Sequence, residues 1–112
     1  MIISFKKKQD RKTFSSEKAL IKAFGQEQAR KITQRLAEIQ AADNLDVLRT
    51  LPQARAHELS GNRKGQISLD VKHPYRFIIL PDHEDCPRKE DGGLNWKKIT
   101  KVKILGIEDT HE

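Results

Sequence analysis

Cysteine is almost missing from this chain: Cys86 is the only one among 112 residues. One cysteine cannot form an intrachain disulfide, so a reducing cytoplasm is the expected compartment. Long apolar runs are missing as well. No stretch approaches the ~18 consecutive apolar residues of a membrane span. The opening MIISFKKKQDRK lacks the apolar core of a signal peptide. There is no phosphate-binding glycine loop, no GxSxG and no HExxH, which removes the P-loop, serine-hydrolase and zinc-protease classes. His83 and Cys86 stand close together among acids, but the paired ligand spacing of a structural zinc site is absent. Neither a metal nor a small-molecule cofactor is expected.

What is present is charge and periodicity. Charged residues make up 34% of the chain and hydrophobic ones 36%, with a formal net charge of +6. Residues 1–64 hold 14 Lys and Arg against 7 Asp and Glu, whereas residues 65–112 hold 8 against 9. A basic front half suits an anionic partner, either nucleic acid or an acidic protein segment, although a merely solvated cationic surface has the same composition. The length suits one domain over residues 1–112, enough to bury well over half of the unfolded surface.

Met1 to Phe5 is apolar and predicts an opening strand, left through the basic cluster Lys6, Lys7, Lys8, Arg11 and Lys12, which reads as a solvated strand exit. Ser15 and Ser16 are N-cap residues for a helix that Gly25 ends. Ala29, Ile32, Leu36 and Ile39 then recur at helical spacing and form one apolar stripe. Two helices joined at a glycine must lay that stripe on something, and the strands that follow are the available surface. Asp43 is positioned to cap a short turn, Asn44 to Leu51, whose leucines plug one end of the core. A strand is expected from Ala54 to Leu59, then a turn at Ser60-Gly61-Asn62. From Gly65 to Val71 the chain alternates, with Ile67, Leu69 and Val71 on one face and Gln66, Ser68 and Asp70 on the other. After the turn Lys72-His73-Pro74, Tyr75, Phe77 and Ile79 share one face, with Arg76, Ile78 and Leu80 opposite. Short connections make these strands antiparallel neighbours. Residues 81–98 hold two prolines, two glycines and five acids, and read as a flexible acidic loop. Ile99 to Ile107 returns to a strand. The class is therefore α+β, a strand and helical hairpin on a twisted antiparallel sheet.

Basic side chains and histidines gather in and beside the turns of residues 57–80. Cleavage of RNA by its own 2′-hydroxyl asks for such groups. One must take the hydroxyl proton, one must protonate the leaving oxygen, and cations must stabilise the phosphorane. The residues that fit are His57, Arg63, Lys64, His73, Arg76 and His111. Arg76 is the most informative, because it interrupts an apolar strand. His73, beside a proline in a turn, is by itself more often structural.

The order of segments, with His57, Leu59, Gly61, Arg63, Gly65, Ser68, Val71, Tyr75-Arg76 and Glu108-Asp109-Thr110-His111, resembles the RelE/ParE toxin superfamily, and within it the HigB-like killer proteins. The resemblance spans nearly the whole chain outside residues 81–98. It implies a RelE-like α+β fold and a type II toxin held inactive by a cognate antitoxin, commonly of helix-turn-helix type. It also implies ribosome-dependent cleavage of mRNA. The resemblance makes His57, Arg76 and His111 the catalytic candidates and Arg63 and Lys64 the basic turn. Lys72 and His73 complete the candidate RNA contacts. The chain departs from the pattern at Ser60, where lysine is usual, at Asp70, where a basic residue is common, and at Thr110, where tyrosine is usual. An alternative is a non-nuclease toxin of the same fold that blocks a protein such as DNA gyrase. A further one is a catalytically weak RNA-binding member.

Overall fold

A computed structural model describes residues 1–109. The elements run β1 (Ile2–Phe5), α1 (Lys8–Phe14), α2 (Glu17–Phe24), α3 (Gln26–Ala41), α4 (Leu45–Arg49), β2 (His57–Glu58), β3 (Ile67–Asp70), β4 (Tyr75–Pro81) and β5 (Lys101–Asp109). The strands form one sheet in the order β1-β5-β4-β3-β2. The β1–β5 pair is parallel and the other three pairs are antiparallel. The α+β class expected from the sequence is the class observed.

The helices cover one face of this sheet. Ala29, Ile32 and Ile39 of α3 are buried among Ile67, Leu69, Phe77, Ile79, Val102 and Ile104 of the strands. Burying each large aliphatic side chain contributes about 1.5–3 kcal/mol. The hairpin between α2 and α3 turns where it was expected to. Ser16 caps α2 by accepting a hydrogen bond from the Ala19 N–H at 3.2 Å, and Gly25 takes the positive φ of 85° that the turn requires.

Several local expectations are corrected. The basic exit after β1 is not an open strand end but α1, a helix whose only buried residues are Thr13 and Phe14. Phe14 is set edge-on to Phe5, Phe24 and Phe77, with ring centroids 5.6, 6.3 and 5.8 Å away. One ring thus ties α1 to β1, α2 and β4. Asn44, not Asp43, caps α4, its side chain accepting from the Val47 N–H at 3.3 Å. The strand expected over Ala54–Leu59 shrinks to His57–Glu58, because Arg55 has φ 43°, which extended backbone cannot include. Residues 82–98 are not bare loop: Arg88 bridges Leu94, and Trp96–Lys98 form a 3₁₀ turn. Leu94 and Trp96 are buried, and the Arg49 guanidinium lies 4.2 Å from the centre of the Trp96 ring.

Candidate active site on the outer sheet face

Strand register decides which side chains meet on the face turned away from the helices. His57 is opposite Ser68, Asp70 is opposite Arg76, and Arg76 is opposite Glu108. Paired residues point to the same side, and residues two apart on a strand do too. His57, Ser68, Asp70, Arg76, Ile78 and Glu108 therefore share one surface, while Ile67, Leu69, Phe77 and Ile79 enter the core.

The connection from β2 to β3 folds back over this surface. It is closed by Leu59 N–H to Gln66 carbonyl at 2.8 Å, and by the Gly65 N–H donating to Glu58 Oε2 at 2.9 Å. Arg63 Nε donates to Gln66 Oε1 at 2.9 Å, and Arg63 Nη2 lies 3.1 and 3.0 Å from the two oxygens of Glu108. Glu108 is on β5, and β4 lies between β5 and β3. Arg63 reaches it only by crossing β4. That crossing accounts for Ser68 and Ile78 being 0% exposed on a face that no helix covers. The Ser68 hydroxyl is enclosed without a hydrogen-bond partner among the described residues.

His57 is held in one tautomer. Its Nδ1 lies 2.9 Å from the Arg55 carbonyl oxygen. A carbonyl can only accept, so Nδ1 carries the proton and, in the neutral ring, Nε2 keeps its lone pair. This is the state a general base needs.

The Arg55 side chain turns to Asp70, with Nε donating to Oδ2 at 3.0 Å. The hydrogen bond to Asp70 and then its charge raise the pKa of Arg55 above the usual arginine value. Arg76 Nε stands 3.6 Å from the other oxygen of the same carboxylate, an ion pair too long for a hydrogen bond. Its Nη1 donates to the Tyr75 carbonyl at 2.9 Å. Three arginines, Arg55, Arg63 and Arg76, thus lie on or over the face, and two carboxylates engage them.

The other candidates lie elsewhere. Lys64 is exposed at the end of the turn that carries Arg63. Lys72 and His73 are in the β3–β4 turn, where Lys72 Nζ pairs with Glu27 Oε2 of α3 at 3.1 Å. The Lys72 ammonium holds the Glu27 carboxyl below its usual range, first by hydrogen bonding and then by charge. Gln28 grips the same turn, its Oε1 accepting from Lys72 N–H at 2.7 Å. Lys72 is thereby drawn to the helix side, and His73 is exposed. His111 and Thr110 lie outside the described residues.

Two participants were not legible as such beforehand. Arg55 sits in a segment that read as plain strand, and its contact with Asp70 comes with the turn at positive φ that takes it out of the strand. Glu108 was visible as part of a motif, but not as the carboxylate that holds Arg63. Among the described residues no group of three His, Cys, Asp or Glu is placed to hold a metal ion. His83 Nε2 instead accepts from the N–H groups of Thr100 and Lys101 at 3.1 and 3.3 Å. No helix among the described residues is long and apolar enough to cross a membrane.

No family model matches the sequence, and no curated protein matches it. Among solved structures the fold is similar to a chain of the YoeB-YefM complex from Staphylococcus aureus. The two are 15% identical, with a TM-score of 0.57 over 100% of this chain and 98% of that one. At that identity the likeness is one of fold. Helices packed on one face of a five-stranded sheet make the α+β arrangement expected from the sequence, and this chain shares it with that structure.

Proposed function

We propose that this protein is the toxin of a type II toxin–antitoxin system and inhibits growth by cutting mRNA on the ribosome. The observation that carries the reading is that His57 and Arg76 lie on one sheet face. A histidine whose Nε2 is free to accept lies on the same surface as three arginines. The fold supports the same reading, being shared with a chain of the YoeB-YefM complex.

In this scheme His57 Nε2 takes the proton of the RNA 2′-hydroxyl. Arg76, with Arg55 beside it, faces the scissile phosphate and stabilises the charge that builds on its oxygens. Arg63 and Lys64 hold the strand alongside. His111, entering the step protonated, would give its own proton to the leaving oxygen, while His57 keeps the one taken from the 2′-hydroxyl. A positioned acid or base of this kind contributes roughly 10²–10⁴-fold to the rate. The HigB-like assignment rests on the His57-to-His111 motif alone. The partner it implies is a cognate antitoxin of helix-turn-helix type that shares the toxin's cytoplasmic compartment.

A second reading is favoured by one specific observation. Asp70 and Glu108 already occupy the arginines that an RNA would need. A toxin of this fold that blocks a protein such as DNA gyrase would have no use for free arginines there. Adding the purified protein to a reconstituted translation reaction separates the two. Shortening of the message only when ribosomes are present supports the nuclease. Inhibition of DNA supercoiling with an intact message supports the second reading.

A further inference from the structure

The outer face carries its own anions. Arg55 and Arg76 converge on the two oxygens of Asp70, at 3.0 and 3.6 Å. Arg63 donates to both oxygens of Glu108. A carboxylate offers an arginine the same two-oxygen acceptor that a phosphodiester offers through its non-bridging oxygens. The contacts are also placed in line. Asp70 is opposite Arg76 and Arg76 is opposite Glu108, so the two carboxylates lie on either side of Arg76 across three adjacent strands. Adjacent strands are about 4.8 Å apart, so two strand spacings put the backbones of Asp70 and Glu108 about 10 Å apart. An extended nucleic-acid strand can span that distance with two or three successive phosphates.

We propose that Asp70 and Glu108 are stand-ins for substrate phosphates, which hold the arginines of the face until an RNA strand displaces them. This rests on the reading that the face takes RNA, and it says how that binding is restrained. Arg55, Arg63 and Arg76 stay ordered without substrate, and free RNA must exchange an existing ion pair for each new one. The exchange removes most of the electrostatic gain that an unpaired arginine would supply. Weak strands of free RNA are rejected, and an RNA presented with additional contacts is accepted. Asp70 is therefore a specificity-determining residue of the face and not a participant in the proton transfers.

The test is equilibrium binding of a fluorescein-labelled single-stranded oligoribonucleotide, followed by anisotropy over a range of salt, with the full chain and its Asp70→Asn and Glu108→Gln variants. Both substitutions keep shape and remove charge. The expected result is tighter binding by roughly tenfold for Asp70→Asn, one charge-assisted hydrogen bond's worth. The slope of log affinity against log salt should also steepen by about 0.7 for each phosphate newly engaged. Glu108→Gln should act in the same direction through Arg63, which keeps the test in place if Asp70→Asn does not fold. Folded variants that bind RNA as weakly as the parent, or more weakly, would overturn the proposal, because carboxylates that merely position arginines must be missed when their charge is removed. Message cleavage is scored separately: its absence with tightened binding counts against the nuclease and leaves the stand-in role supported.

Discussion

Arg63 Nη2 lies 3.1 and 3.0 Å from the two oxygens of Glu108, and the two residues are 45 positions apart in the chain. Neither end is in the helical core. The contact joins the β2–β3 connection to β5 across β4, and so closes the connection over Ser68 and Ile78. It is a structural clasp and an arginine of the candidate site at once.

The clasp has a measurable strength. Its side chains are 31% and 35% exposed, so solvent weakens the pair. A double-mutant cycle with Arg63→Ala and Glu108→Ala, read by urea denaturation, should give a coupling of about 0.5–1 kcal/mol. The coupling should shrink at high salt. Strictly additive single mutants would mean that the pair does not hold the connection.

Phe14 should matter far more. It is 7% exposed and touches three other rings. Phe14→Ala should destabilise by about 3–5 kcal/mol in urea denaturation. Ile21→Ala, on the exposed side of the neighbouring helix, should stay within about 0.5 kcal/mol of the parent.

The start of α4 gives a finer comparison. Asn44→Ala removes the acceptor for the Val47 N–H and should cost about 1 kcal/mol. Asp43→Ala should change stability by less than about 0.5 kcal/mol. The reverse order would mean that the cap is misassigned.

Asp10 sets a pH dependence. Its Oδ2 is buried without a hydrogen-bond partner among the described residues. Burial raises its pKa above 3.8, and the nearby Lys7 charge only partly opposes this. The folded state therefore holds this proton to higher pH than the unfolded chain does. As pH rises through the interval from 3.8 up to the raised value, the folded chain loses stability from this group. Asp10→Asn should raise Tm at pH 7, and the gain should disappear below pH 3.8, where the parent carboxyl is also neutral. A gain that persists unchanged in acid would contradict the burial account.

The elements with a strong period were readable in the sequence. The Ala29–Ile39 stripe, the Ile67–Leu69 alternation and Gly25 each state a local rule that the packing obeys. The failures came where long-range contact overrode local pattern. Lys8–Phe14 has no apolar stripe, and its helix is fixed by one phenylalanine inserted among three distant rings. Ala54 to Leu59 looks extended, but Arg55 is turned to positive φ and its guanidinium meets Asp70. Ser68 reads as a polar residue of an outer face, and it is buried because a connection folds over it. The site was legible to the same degree. His57, Arg63 and Arg76 could be named from residue type and place, whereas the carboxylates that engage the two arginines follow only from strand register for Arg76 and from the fold-back of the connection for Arg63.

The central claim is that the His57–Arg76 face cuts messages. The measurement that meets it most directly is end-mapping of cellular mRNA after induced expression of the parent, His57→Ala and Arg76→Ala chains. The account predicts growth arrest with new message ends inside translated regions for the parent, and loss of both for each variant at equal protein level. Growth arrest by the parent with its messages intact, or undiminished cutting by Arg76→Ala, would contradict it.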